Sequence, residues 1–317
     1  MLHPVDQDRF RPRDPVRAAG LLAGYAADRL FGDPRRAHPV AWFGGLATAL
    51  ERRIWADSRP RGVVHLLICT ATATGLGVVA ERVAPAPLRF LATATATWVV
   101  LGGRGLAAEG TAMAELVEAG DLDGARARLP HLCGRDAAEL DLGELTRAAT
   151  ESIAENTSDA VVAPLFWGAL AGVPGLLGYR ALNTLDAMVG HRSPRYERFG
   201  WASARADDVA NLVPARAAAL FTAVCAGRRA RRVLDVWRRD AGVHPSPNAG
   251  QVEAAFAGAL GVRLGGVNRY GGTVSERGHL GDGPSPRPAD LRRAVRLSLS
   301  VGALAAVAAA AVSAVSR

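Results

Sequence analysis

The chain has no lysine: all 38 basic residues among its 317 are arginine. A phosphate-binding loop of the G-x-x-x-x-G-K-S/T type is therefore excluded, because its lysine is what reaches the terminal phosphates. A nucleophile elbow, an HExxH helix and a dinucleotide-binding glycine fingerprint are also missing. Aromatic residues are scarce at 6%, and the dominance of Ala, Gly and Leu favours closely packed helices over sheets. The three cysteines, Cys69, Cys133 and Cys225, are too widely spaced for a metal or disulfide pattern and are expected to be buried free thiols. Residues 1–17 are polar and proline-rich without the apolar core of a secretory signal, and read as a disordered N-terminal extension. Residues 18–317 read as one membrane-embedded domain.

The formal charge of +8 suits nucleic acid, an anionic membrane surface or phosphorylated substrates. No aromatic-basic interleaving or nucleic-acid motif is present, so no nucleic-acid partner is expected. Three stretches, 63–80, 160–179 and 297–316, run for roughly 18–20 residues without Asp, Glu or Arg, enough to cross a bilayer core. Residues 90–103 form a shorter run, and 18–31 and 209–227 weaker ones interrupted by charge. Mean hydropathy is only +0.09 because long arginine-rich loops separate these runs. The expectation is an all-α, polytopic integral membrane protein with long cytoplasmic helical loops; the alternative is a soluble helical protein with Ala-rich core helices.

Arginine placement orients the chain. Segments 32–61, 104–159 and 228–296 belong in the cytoplasm and 81–86 outside. Pro164, Pro174 and four glycines from 168 to 178 suggest that 160–179 is broken or re-entrant, which returns 180–208 to the cytoplasmic side. Segment 104–150 reads as two amphipathic helices, with an Asp N-cap inside EAGDLDGARARL.

Polar groups crowd against this apolar sequence, and such placement points to a functional site. Glu151, Glu155 and Asp159 are spaced i, i+4, i+8, within about 80° on one helix side. Oxygen ligands so spaced suit Mg²⁺, which completes its shell with water and phosphate. A solvated acidic face is the plainer reading. Arg180, Asn183, Thr184 and Asp186 follow the apolar run, and Arg180 and Arg192 have the fork that grips phosphate. Asp207, Asp208 and Asn211 repeat the theme, with capping and surface ion pairs as the plainer alternative. Arg216, inside an apolar run, needs a partner, and Asp207 or Asp208 is the expected one. Toward the N-terminus, Asp28, Asp33 and His38 surround a Gly-Asp-Pro turn; His38 is an acid-base candidate, although a histidine before proline is commonly structural. A helix beginning near Asn248 offers free N–H donors to anions. Asn268 lies in a Gly-rich stretch, NRYGGTVSERGHLGDG, expected to be a loop.

Six ordered motifs cover nearly the whole chain beyond residue 17: DRLFGDPRRAHPV, ESIAENTSDAVVAPLFWGAL, YRALNTLDAMVGHR, YERFGWASARADDVANLVPAR, HPSPNAGQVEAAFAGALGVRLGG and NRYGG. Together they resemble the adenosylcobinamide-phosphate synthase family of cobalamin biosynthesis (CobD/CbiB). The resemblance implies an integral membrane enzyme that joins aminopropanol, as its O-phosphate, to the propionate carboxylate of adenosylcobyric acid. Making that amide implies ATP and Mg²⁺. Within that frame Glu151, Glu155, Asp186 and His38 are assigned to catalysis, and Glu151, Glu155 and Asp159 to metal. Arg180, Asn183, Arg192, Asn248 and Asn268 are assigned to substrate or phosphate. Asp28, Asp33, Asp207, Asp208, Asn211 and Arg216 are assigned structural roles. Beyond its substrates and the bilayer, a homo-oligomer or other cobalamin-pathway enzymes are the partners this reading allows. The competing readings are a non-catalytic membrane sensor or scaffold similar to AmpE-type proteins, and a corrinoid transport component.

Overall fold

The computed structural model describes residues 14–33, 38–191, 193–270 and 273–315, and the side chains of 268–276 are not described. Twelve α-helices carry the fold: α1 (Pro15–Phe31), α2 (Pro39–Ile54), α3 (Arg59–Val83), α4 (Ala86–Val100), α5 (Gly103–Glu118) and α6 (Leu122–Arg128), then α7 (Leu142–Thr157), α8 (Ala163–Leu185), α9 (Trp201–Cys225), α10 (Ala230–Asp240), α11 (Ala249–Leu260) and α12 (Pro288–Val315). One antiparallel hairpin, β1 (Leu264–Tyr270) and β2 (Thr273–Leu280), follows α11.

Among the described residues, four helical segments are long and apolar enough to cross a membrane: α3, the continuous stretch Leu142–Gly190, α9 and α12. Large apolar side chains on three of them face outward, among them Leu67, Leu76, Val79, Leu220, Val224 and Val307. A soluble protein does not present such a belt to water, so the fold is that of an all-α polytopic membrane protein. Helices α1 and α4, at 17 and 15 residues, cover the two shorter runs. They pack closely because a Cβ on Gly20 or Gly24 would strike Thr93 or Thr97 of α4.

Helix α1 begins at Pro15, within the stretch expected to be an N-terminal extension. Residues 1–13 lie outside the described chain, but Asp14 accepts a hydrogen bond from Arg17 N (2.9 Å) and Pro15 opens α1. A capped helix start with proline in its first turn is ordered by its own local chemistry. Segment 104–150, expected as two helices, holds α5 and α6 and also the start of α7 at Leu142; Asp121 caps α6 by accepting from Gly124 N (2.9 Å). All three cysteines are free, Cys69 buried and the other two part-buried.

Helix α8 is broken, as its prolines and glycines suggested. Gly172 takes φ +65° and ψ −145°, and Pro174 follows two residues on. The halves fold back on one another: a Cβ on Gly168 would meet Leu176, and one on Gly175 would meet the Trp167 carbonyl. Glu81 of α3 accepts from the freed Val173 N (2.8 Å), and Arg17 donates to Ala169 O (3.4 Å). These side chains satisfy backbone groups that lipid would leave orphaned. At the other end the Tyr179 hydroxyl lies 3.2 Å from Asp159 O and 2.9 Å from Asn211 Oδ1. Both polar ends of the hairpin therefore emerge on one face.

The segment expected as a Gly-rich loop is the β-hairpin. Its register runs from Leu264 opposite Leu280 to Tyr270 opposite Thr273, with an irregularity between Gly265 and Val267. Glycines at the bulge interrupt the strand alternation that would have revealed it.

Candidate functional site

Two five-residue π-helical stretches flank α8, Ser158–Val162 before it and Asp186–Gly190 after it. Such stretches are frequent at functional sites, because the extra residue per turn re-aims side chains. Here they carry Asp159 and Asp186 to one cavity of about 190 Å³. Glu155 from α7, Asp207, Asp208 and Asn211 from α9, and Asn248 at the start of α11 line the same space. His244, Ser246 and, from β2, Arg277 complete its polar wall.

Seven residues singled out in the sequence thus converge although up to 93 positions separate them. Asn211 Nδ2 donates to Asp207 Oδ2 (2.9 Å), Asn183 Nδ2 to Asp207 Oδ1 (3.5 Å), and Arg205 to Asp208 (3.0 Å). Asn248 Nδ2 donates to the Asp208 carbonyl (2.7 Å), tying α11 to α9, while its Oδ1 is buried without a hydrogen bond. Five carboxylates face the cavity against the cation Arg277, which approaches Glu155 Oε1 at 3.7 Å. The space suits a divalent cation or an ammonium group; a free phosphate would be repelled.

Glu151 departs from its expected role. It is buried, and its Oε2 accepts from Arg135 Nη2 (2.7 Å), while its Oε1 accepts from Arg147 Nη1 (3.2 Å) and Gly265 N (2.7 Å). Arg147 in turn donates to the carbonyls of Gly265 (2.6 Å) and Val267 (3.2 Å). A carboxylate saturated by two guanidiniums and a backbone N–H is a clamp on β1 and does not fit a metal ligand. The regular i, i+4, i+8 helix expected through Asp159 gives way to the π stretch, and only Glu155 and Asp159 of the three reach the cavity.

His38 stands apart from the acids. It caps α2, its Nδ1 accepting from Val40 N (3.1 Å). Asp28 is buried and accepts from Arg104 N (3.2 Å), and Asp33 lies in a separate recess with Asn156, Glu109 and His131. Arg180 borders an apolar groove with Trp42, Leu76 and Leu177, its Nε buried without a hydrogen bond. Arg216 does not pair with Asp207 or Asp208; it is exposed and donates to Leu212 O (2.7 Å). Nine residues of helix turn it to the face opposite Asp207. Arg192 and the Asn268 side chain lie outside the described part.

The sequence reading missed His244, Glu253 and Arg277. Glu253 interrupts an apolar helix, AGQVEAAFAGAL, and a lone acid there was the available signal. Burial and the neighbouring Glu155 push its carboxyl well above the usual carboxylate range. Burial, with Arg277 beside it, pulls the His244 imidazole down, so that it is held neutral.

The sequence model of the family described as "CobD/Cbib protein" matches residues 21–298. The cobalamin biosynthesis protein CobD of Mycobacterium tuberculosis is 55% identical over 295 residues, covering 92% of this chain and 94% of that protein. Its counterpart in Rhodobacter capsulatus is 45% identical over 291 residues (88% and 92%), and that of Geobacter metallireducens 43% over 290 (88% and 91%). No solved structure matches the chain. With a family match across most of its length and relatives this similar, the chain belongs to the CobD/CbiB family of cobalamin biosynthesis proteins.

Proposed function

We propose that the acidic cavity is the active site of an adenosylcobinamide-phosphate synthase, which joins aminopropanol O-phosphate to the propionate carboxylate of adenosylcobyric acid. The observation that carries this reading is the convergence of Glu155, Asp159, Asp186, Asp207 and Asp208 on a single cavity. Magnesium-bound ATP supplies the phosphoryl group that converts the carboxylate oxygen into a leaving group. Phosphates can approach so acidic a wall only with a divalent cation between, and Glu155, on the cavity wall, would be a ligand to it. The incoming ammonium is drawn by the same negative charge and must lose a proton before its nitrogen attacks the acyl carbon. Asp186 is the base for that proton. Asn183 and Asn248 orient polar substrate groups, and Arg277 meets phosphate oxygens that the cation leaves uncovered. Arg180 and Arg192 are the further candidates for phosphate, since Arg180 lies in α8 beyond its break at Gly172 and Arg192 follows that helix in sequence.

Topology supports the reading. The hairpin in α8 brings residues 151–159 and 180–191 to the same face, so one assignment of side covers both. Placing that face in the cytoplasm gives it access to ATP and agrees with the arginines of 180–208 and 228–296. The decisive question is whether the purified protein joins the two substrates when ATP and Mg²⁺ are supplied.

A further inference from the structure

Glu253 is fully buried, no N–H or hydroxyl among the described residues donates to either of its oxygens, and its close polar neighbour is another carboxyl, Glu155. Two carboxylates in contact away from water cannot both stand as bare anions without a proton or a cation between them. One oxygen each of Glu155 and Glu253 and one ring nitrogen of His244 lie within 4.8 Å of one another, the spacing of atoms around a shared ion. The site stands on three separate elements: the end of α7, the His-Pro turn before α11, and α11 itself.

His244 limits what that ion can be. The Ser246 backbone N–H donates to its Nδ1 (3.0 Å), which fixes the neutral ring's proton on Nε2. Nε2 is the nitrogen that faces Glu253 Oε1, at 3.6 Å. A metal-bound histidine has the opposite arrangement, one nitrogen bare toward the metal and the other donating. Arg277 Nη1 also approaches Nε2 (3.2 Å), but its flexible side chain can turn to Glu155, 3.7 Å away. The backbone N–H of Ser246 has no such freedom.

We propose that Glu155 and Glu253 hold one oxygen-preferring divalent cation of the Mg²⁺ or Mn²⁺ class, with His244 donating to a ligand oxygen instead of binding the ion. Carboxylates with water completing the shell suit such a cation, whereas zinc favours nitrogen and sulfur. The ion takes the place of the proton the two carboxyls would otherwise share and sits at the wall of the acidic cavity. This deepens the proposed synthase reading by supplying its cation, but it is measured with no substrate present, so either can fail alone.

The experiment is Mn²⁺ binding to the purified full-length protein, followed by loss of the free-ion electron paramagnetic resonance signal. The wild type should take up one Mn²⁺ per chain, displaceable by Mg²⁺. Glu253→Gln and Glu155→Gln should each weaken binding at least tenfold. In a chelator, Glu253→Gln should unfold at or above the wild-type temperature, since it removes an uncompensated acid, and added Mn²⁺ should raise only the wild-type midpoint. If Glu253→Gln does not fold, the part-exposed Glu155→Gln carries the same expectation. No saturable binding in the wild type, or unchanged affinity in the variants, overturns the proposal.

Discussion

Removing Glu151 should destabilise the protein without touching its cation site. The Arg135–Glu151 contact is 2.7 Å long with both side chains 3% exposed, and Arg147 reaches the same carboxylate at 3.2 Å. In Glu151→Ala, two guanidiniums lose their common anion and Gly265 N loses its acceptor. Breaking a buried pair from one side costs about 3–5 kcal/mol. At roughly 2–4 °C per kcal/mol for larger domains, the unfolding midpoint in detergent should fall by about 6–20 °C. Pairing the change with Arg135→Met removes one stranded charge and should recover part of that loss, which a double-mutant cycle would register as coupling. Glu151→Gln keeps one acceptor and should fall between, with Mn²⁺ affinity unchanged. If Glu151→Ala melts like the wild type, or Glu151→Gln loses cation binding, the clamp assignment is wrong.

Gly172→Ala should be destabilising by about 1–3 kcal/mol, because φ is +65° there and the new methyl would strike the Glu81 carboxylate; thermal unfolding measures it. A single cysteine at Ser193, in a background without Cys69, Cys133 and Cys225, should resist an impermeant thiol reagent on intact cells, and ready labelling would place that face outside. Asp240 accepts from Arg239 Nε (2.6 Å) and Nη2 (2.8 Å) and from Gly281 N (2.7 Å), and the arginine holds its carboxyl below the usual range. Its stabilisation is present above the unfolded carboxylate value of about 4 and is lost as pH falls through the lower folded value. Asp240→Asn should therefore flatten the acid limb of the stability profile, and an unchanged limb would remove Asp240 from the account.

The apolar runs and the break in α8 were legible because both rest on local chemistry: charge-free length, and proline with glycine. The seven cavity residues were legible for a similar reason, being polar groups set against sequence apolar enough for lipid. Pairing across distance was not legible. Glu151 shares a helix face with Glu155 by count, and only the arrival of Arg135, Arg147 and Gly265 turns it into a clamp. The π stretches at Ser158 and Asp186 change the angular period just where the spacing argument assumed a regular helix. Arg216 was matched to acids by proximity in sequence, when a nine-residue separation places it on the far side of the helix from Asp207. Glu253 and His244 sat inside a quoted motif, yet nothing in one dimension brings them to Glu155.

The central claim is that the acidic cavity makes an amide at the expense of ATP. Protein purified to homogeneity in detergent should be given adenosylcobyric acid, aminopropanol O-phosphate, ATP and Mg²⁺, and the product identified by mass. The account predicts adenosylcobinamide phosphate in the wild type, dependence on both ATP and Mg²⁺, and none from a folded Glu155→Gln variant. Turnover in Glu155→Gln at the wild-type rate, or no product from wild-type protein that binds both substrates, would contradict it.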